Sequence, residues 1–145
     1  MKPINIKEKF SKFNKQWHPH QIATVDDMQV ILAKIQDEFV WHSHKEEDEL
    51  FFVQKGTLEM HFRTPTSVYP ERVEGLIDPS GKKNEYKKWI EIVNQGEIIV
   101  VPKGVEHCPK TQGGEEVWLL LFEKLNTAHT GEVVHEKTQT DYPKI

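Results

Sequence analysis

The chain has 145 residues, of which 37% are apolar and 29% charged, and its formal net charge is −4. This balance indicates a folded protein of one domain, and the negative charge argues against nucleic acid or an anionic membrane as its partner. With one cysteine, no signal peptide and no apolar run near the roughly 20 residues of a membrane helix, we expect a single cytoplasmic domain over residues 1–145.

A short helix is predicted at about 6–14. Asn5 is a good N-cap residue, and Glu8 follows it at the spacing of a capping box. The apolar residues that recur at helical spacing form the packing face of this helix: Ile6, Phe10, Phe13 and Trp17.

After the helix, the pattern is one of short strands rich in β-branched and aromatic residues. A long segment at 64–88 is rich in proline and glycine and reads as a loop or insertion, to which 72–77 can add a short strand. A C-terminal tail covers about 124–145. The predicted strands are Met28–Ile35, 39–44, 50–53, 58–63, 89–93, Ile98–Val101 and 117–122, with a turn at Gly56. Many short strands with one small helix are typical of a closed β-barrel or sandwich.

The chemically informative residues are three histidines and a glutamate. Alternate residues of a strand share a face, so His42 and His44 can point to one side, and the next strand returns with Glu49. A buried strand ending in a Pro/Gly turn is followed by His107, which supplies a fourth ligand. This donor set favours one divalent transition metal ion (Fe, Mn, Ni or Zn) over calcium or magnesium.

Two motifs give these residues a family context. The chain has the spacings His42-x-His44-x4-Glu49-x6-Gly56 and Gly96-x5-Pro102-x-Gly104-x2-His107. It thereby resembles the cupin superfamily, and in particular small single-domain cupins loosely labelled as similar to mannose-6-phosphate isomerase. The resemblance implies a mainly β fold, the double-stranded β-helix or jelly-roll barrel. The sequence departs from the family pattern at Gln36, where a glycine is usual, and at Thr111, where an asparagine is usual.

Strand parity gives expectations for the aromatic residues. Phe39 and Trp41 alternate with His42, so both should face outward, where a second subunit would cover them. We therefore expect a homodimer, as the resemblance also implies. Phe51 shares the parity of Glu49 and should line the pocket beside the metal.

The remaining polar residues carry weaker expectations. Cys108 should be a buried, inert thiol, since it follows a ligand on a strand. His61 is expected on a wet strand face, and His129 and His135 are expected to be solvated in the tail.

Function is left between two classes. One is a metal-dependent enzyme acting on a small organic substrate, of the dioxygenase or the isomerase and epimerase type. The other is a non-catalytic protein that binds or stores a small ligand in the barrel. Catalytic residues are not identified; Lys34 and Glu91 are candidates for an acid or base if they face inward.

Overall fold

The computed structural model describes residues 2–65, 86–125, 127–139 and 142–145. In these ranges the chain forms one short helix and eight strands: α1 Ile6–Phe10, β1 His20–Val25, β2 Met28–Ile35, β3 Glu49–Lys55, β4 Thr57–Pro65, β5 Tyr86–Asn94, β6 Ile98–Val101, β7 Glu106–Thr111 and β8 Val117–Lys124. The two ends of the predicted 64–88 loop belong to β4 and β5. The predicted strand at 72–77 lies outside the described residues.

The strands form two antiparallel sheets. One has the order β1-β2-β8-β3-β6 and the other the order β5-β4-β7. Two neighbouring strands of the larger sheet, β2 and β8, come from opposite ends of the chain, and β2 pairs along its whole length with β8. This arrangement confirms the predicted mainly β fold of the jelly-roll type with a short N-terminal helix.

The core fills the space between the two sheets. Alternate residues of β8 are buried, among them Val117, Leu119 and Leu121, and they face buried residues of β4 such as Leu58 and Met60. This alternation is what a strand with one inward face requires. It places every second residue of β8 toward the barrel interior.

The helix is shorter than predicted. It begins at Ile6 as expected, and the side chain of Asn5 accepts a hydrogen bond from the backbone N–H of Glu8 at 3.0 Å. It ends at Phe10 because the Ser11 hydroxyl and backbone N–H both donate to the Glu8 carbonyl, which closes the last turn. Phe13 then packs with Phe10 on the outer face of the larger sheet.

Strand β1 was not predicted. Its burial falls from the buried His20 to the exposed Val25, so the segment shows no period of two along its length. It forms a hairpin with β2 through a two-residue turn in which Asp26 has a φ of 54°. An aspartate tolerates this left-handed conformation, but the turn lacks the glycine that usually marks such hairpins.

The predicted strand at 39–44 is replaced by an extended segment that contacts β7 through isolated bridges. Glu38 pairs with Lys110, and His42 pairs with His107, so the register shifts by one residue between the two bridges. The shift reverses the parity of Phe39 relative to His42. Phe39 is therefore buried rather than outward, and its ring meets the His42 ring edge-on at 5.3 Å. Trp41 is half-buried, with the Arg63 guanidinium over its ring.

The C-terminal tail folds back onto the barrel. Its last residues bridge to β1 at Gln21, and Tyr142 is buried. The expectation of solvated tail histidines is wrong for His129, which is 7% exposed, and His135 is half-buried. In the described part of the chain, no helix is long and apolar enough to cross a membrane.

Candidate metal centre

Three different parts of the fold position the four predicted ligand residues. Glu49 is the first residue of β3, in the larger sheet, and His107 lies on β7, in the smaller one. His42 and His44 lie on the segment between β2 and β3. Backbone hydrogen bonds in both directions join His42 to His107, at 3.0 and 2.9 Å. The segment is thereby attached to the smaller sheet, and its histidines meet Glu49 from across the barrel.

The four side chains converge on one point. Their possible ligand atoms all lie within 4.8 Å of one another, and each residue is no more than 4% exposed. Glu49 Oε2 lies 3.2 Å from His44 Nε2 and 3.4 Å from His107 Nε2. Despite these distances, none of the three atoms has a partner with hydrogen-bond geometry within the described ranges. Buried polar atoms in folded proteins are nearly always paired with protein, water or an ion.

Backbone carbonyls set the orientation of two of the rings. His42 Nδ1 lies 3.0 Å from the Val40 carbonyl oxygen, and His107 Nδ1 lies 3.0 Å from the Val105 carbonyl oxygen. A carbonyl can only accept, so each ring carries its proton on Nδ1 and leaves the Nε2 lone pair free. Such contacts behind the ring are usual for metal-binding histidines, because they fix the tautomer and the ring plane.

The close approach of the four side chains determines which of them carry a charge. Burial alone would raise the pKa of the Glu49 carboxyl, but the adjacent His107 and His44 outweigh it and hold that pKa far below its usual value. Burial opposes a charge on His44, yet the Glu49 carboxylate, with a smaller contribution from Glu47, raises its pKa. Burial and the neighbouring His107 lower the pKa of His42 to about 3. Glu49 is therefore ionised and His42 neutral, the forms in which they bind a metal ion.

This donor set could hold a metal ion. Three imidazoles and one carboxylate are typical ligands of divalent transition metals, with bonds of about 2.0–2.2 Å. A central ion at that distance would satisfy the buried Nε2 and Oε2 atoms that the described chain leaves without partners. The four predicted residues are thus brought together in a form that fits the predicted cofactor.

A cavity adjoins the cluster and contains about 390 Å³ of empty space, part of it open to solvent. His42 and Glu49 reach it from the cluster, and Phe51 lines it as predicted. The remaining lining comes from the N-terminal segment, β2, the segment between β2 and β3, β7, β8 and the tail, and includes Trp17, Phe39, Ala33, Pro109, Leu119, Leu121 and His129. The tail therefore contributes directly to the site.

Sequence reasoning missed a second buried carboxyl group. Glu123 is fully buried, at 0% exposure, on the inward face of β8. Since Leu50 pairs with Phe122, Glu123 stands beside Glu49 at the next step of the same ladder. Burial raises its pKa well above the ordinary value, and the charge of Glu49 raises it further. The alternation Val117, Leu119, Leu121, Glu123 was the available signal, because it continues the inward face by one residue beyond the predicted strand.

The two residues considered as acid or base do not serve the cavity. Lys34 is buried on the outer face of β2, where its ammonium donates to the Phe13 carbonyl oxygen at 2.8 Å. Glu91 is exposed on β5. Cys108 is buried as predicted, with its sulfur 3.2 Å from the Phe39 carbonyl oxygen, and burial raises its pKa to about 12. His61 is half-buried beside Glu59 rather than fully exposed.

Comparison with known proteins agrees with this geometry. The family model described as Cupin matches residues 6–141. The crystal structure of a cupin-2 domain containing protein from Shewanella frigidimarina is 36% identical, with a TM-score of 0.64 over 83% of this chain and 93% of that one. A Neisseria meningitidis protein is 24% identical, with a TM-score of 0.60 over 85% and 99% of the two chains, which supports the fold. The uncharacterized protein YdbB of Bacillus subtilis is 28% identical over 102 residues, 66% of this chain and 84% of that protein. On the family match over residues 6–141, the chain belongs to the cupin family.

Proposed function

We propose that His42, His44, Glu49 and His107 bind one divalent transition metal ion (Fe, Mn, Ni or Zn), and that the protein is a metal-dependent enzyme acting on a small organic molecule. The observation that carries the proposal is the set of three buried atoms that face one another without hydrogen-bond partners in the described chain: Glu49 Oε2, His44 Nε2 and His107 Nε2. Burying these polar atoms unpaired is costly, and coordination offsets the cost.

The chemistry follows from the ligand count. Four protein ligands leave one or two positions of a five- or six-coordinate ion open, and a metal ion bound here supplies Lewis-acid or, as iron, dioxygen chemistry. Phe51 and Leu121 keep one side of the site apolar. The proposed reaction types are therefore dioxygenation and isomerisation or epimerisation of a substrate that enters the adjoining cavity.

Two buried side chains support the proposal of an enzyme rather than a binding or storage protein. An enzyme needs an acid or base that is not a ligand. Glu123 and His129 are both buried, and the carboxylate of Glu49 influences the pKa of each.

Metal content, measured by elemental mass spectrometry on tag-free protein, tests the site. We expect about one equivalent in the wild type and less than a tenth of that in the His42→Ala, His107→Ala double variant. A His61→Ala, His135→Ala double variant is the matched control, since it also removes two histidines but none from the cluster. If the wild type stays metal-free after reconstitution, or if the control loses metal equally, the four-ligand site is wrong.

We also propose that the protein is a homodimer. Phe39 is buried in the interior rather than outward, so it does not need the cover of a second subunit. Support now comes from strands β5 and β6, which are edges of the two sheets and carry β-branched residues that are 49–60% exposed: Ile90, Ile92, Ile98 and Val100. Sedimentation equilibrium at micromolar concentration should give twice the chain mass of 17.0 kDa, and a monomer would contradict the proposal. The single domain over 1–145 and the cytoplasmic location stay predictions from the sequence.

A further inference from the structure

The cavity beside the metal centre has a composition that selects among small molecules. Apart from His42 and Glu49, which belong to the cluster, the one ionisable side chain among its described lining residues is His129. The rest of the lining is aliphatic or aromatic, and the described lining contains no lysine or arginine. A phosphate group or a sugar would find few partners there, whereas an apolar body would be well accommodated.

The orientation of His129 is set by the tail. Its Nδ1 accepts a hydrogen bond from the backbone N–H of Gln139 at 3.1 Å, which is shorter than the 3.3 Å to the carbonyl oxygen of the same residue. From the shorter of these two contacts we assign Nδ1 as the acceptor and place the proton of the neutral ring on Nε2. The ring is held between Phe39 and Tyr142, at centroid distances of 5.3 and 6.2 Å.

The second ring nitrogen, Nε2, is the atom with which a bound molecule could form a hydrogen bond. His129 Nε2 is buried and has no hydrogen-bond partner among the residues that the structure describes, although the side chain lines the cavity. The pKa of His129 is lowered, because burial opposes its charge, so the ring is neutral near pH 7. A buried N–H donor on a side chain that lines an otherwise apolar cavity is suited to an oxygen acceptor on a bound molecule.

We propose that the cavity binds a small aromatic or similarly apolar molecule that carries a carboxylate or another paired-oxygen group, and that His129 Nε2–H donates a hydrogen bond to one of these oxygens. The assignment rests on the proposed function, since the second oxygen faces the metal ligands His42 and Glu49. His129 is a ligand-binding residue in this scheme. Its placement by the tail makes residues 127–139 a part of the binding site.

Benzoate and gluconate are suitable probes, because both present one carboxylate but one has an aromatic body and the other a polyol. Calorimetric titration of the zinc-loaded protein should show binding of benzoate at least tenfold tighter than that of gluconate. In His129→Leu, which keeps an apolar side chain but loses the donor, benzoate should bind roughly three- to tenfold more weakly. His61→Leu is the control, because His61 is a half-buried histidine on β4 outside the tail and the cavity lining, and this variant should bind benzoate as the wild type does.

A second measurement uses the wild type, so that a poorly folded variant cannot hide the answer. In nitrogen-15 NMR spectra of the imidazole groups, His129 should show the proton on Nε2, and that resonance should shift when benzoate is added. Equal affinity for benzoate and gluconate, an unchanged affinity in His129→Leu, or no binding of benzoate to protein that has bound zinc would overturn the inference and leave the metal site intact. Failure of the protein to take up zinc would instead count against the proposed function.

Discussion

The buried carboxyl of Glu123 gives a stability prediction with a definite sign. Its Oε1 lies 3.2 Å from the Tyr142 hydroxyl and 3.3 Å from Gln29 Nε2, and both of these groups donate to it. Its Oε2 is buried and lacks a partner within the described chain. Glu123→Gln keeps the shape and the accepting oxygen, but its amide stays neutral at every pH. The variant therefore imitates the protonated form of the wild-type residue.

The size of the effect follows from the raised pKa. An unfolded glutamate loses its proton near pH 4.5, whereas Glu123 in the folded protein keeps its proton to a higher pH, because burial and the charge of Glu49 disfavour the carboxylate. Between those two pKa values the folded state binds more protons than the unfolded state, so stability falls as the pH rises. The loss is about 1.4 kcal/mol per pH unit for one group. Glu123→Gln lacks this loss, so its free energy of unfolding should rise relative to the wild type by about that amount for each unit between pH 4.5 and the pKa of Glu123 in the folded protein, and no further above it.

The assay is urea unfolding of the metal-free proteins, with a chelator present, between pH 4.5 and 8. We expect the free energy of unfolding of Glu123→Gln to be close to the wild-type value at the acid end and to exceed it increasingly toward pH 7. Glu115→Gln changes an exposed glutamate just before β8 and should run parallel to the wild type. A difference between Glu123→Gln and the wild type that stays flat, or that shrinks as the pH rises, would show that Glu123 is charged in the folded protein and would refute the reasoning.

Three further predictions concern the tail, the thiol and the helix. Gly131 has a φ of 56°, and a Cβ there would lie 2.1 Å from the Ser43 carbonyl oxygen, between two of the proposed ligands. Gly131→Ala should therefore lower the free energy of unfolding in urea by about 2 kcal/mol more than Gly114→Ala does. Gly114 is the control, because its φ is 76° but the atom nearest to an added Cβ is 3.9 Å away; equal losses in the two variants would contradict the prediction. Cys108, with its pKa raised to about 12 by burial, should not react with a thiol reagent at pH 8 until the protein is denatured; rapid reaction of the native protein would show that it is accessible. Phe10→Ala should lower the free energy of unfolding by about 3–5 kcal/mol, because the ring is 1% exposed and stacks on Trp118 at 4.7 Å. A loss below about 1 kcal/mol would mean that α1 does not pack on the sheet.

The features that the sequence predicted well are those with a strong local signal. Strand β6 was predicted with its observed bounds, because four β-branched residues stand between a turn at Gly96 and Pro102. The four ligand residues could be identified because their spacing matches two motifs, and spacing does not depend on how the intervening strands are paired. The short helix was placed correctly at its N-terminus, where Asn5 provides the cap, but not at its C-terminus, where a serine ends it without glycine or proline.

The features that were missed depend on contacts between distant parts of the chain. The sequence left the direction of Lys34 open; it lies on the outer face of β2, where the N-terminal segment covers it and the Phe13 carbonyl accepts its hydrogen bond. His129 appeared to be solvated, because nothing in the tail sequence indicates that residues 127–139 return to the barrel. In both cases the side chain is buried by a segment that is distant in sequence, and a local sequence pattern contains no information about that contact.

The register shift beside His42 connects the metal centre to the cavity. Had 39–44 been a regular strand, alternation would have placed Phe39 outside and His42 inside. The carbonyl oxygen of Pro109 accepts a hydrogen bond from the backbone N–H of Phe39, but proline has no N–H to donate in return, so the hydrogen-bond ladder is interrupted there. Between the two bridges, the segment before β3 therefore contains one residue more than β7 does. The interruption brings Phe39 into the wall of the cavity, against both His42 and His129. One irregularity in the pairing thus brings an apolar wall, a proposed metal ligand and the proposed ligand-binding histidine to the same side of the barrel.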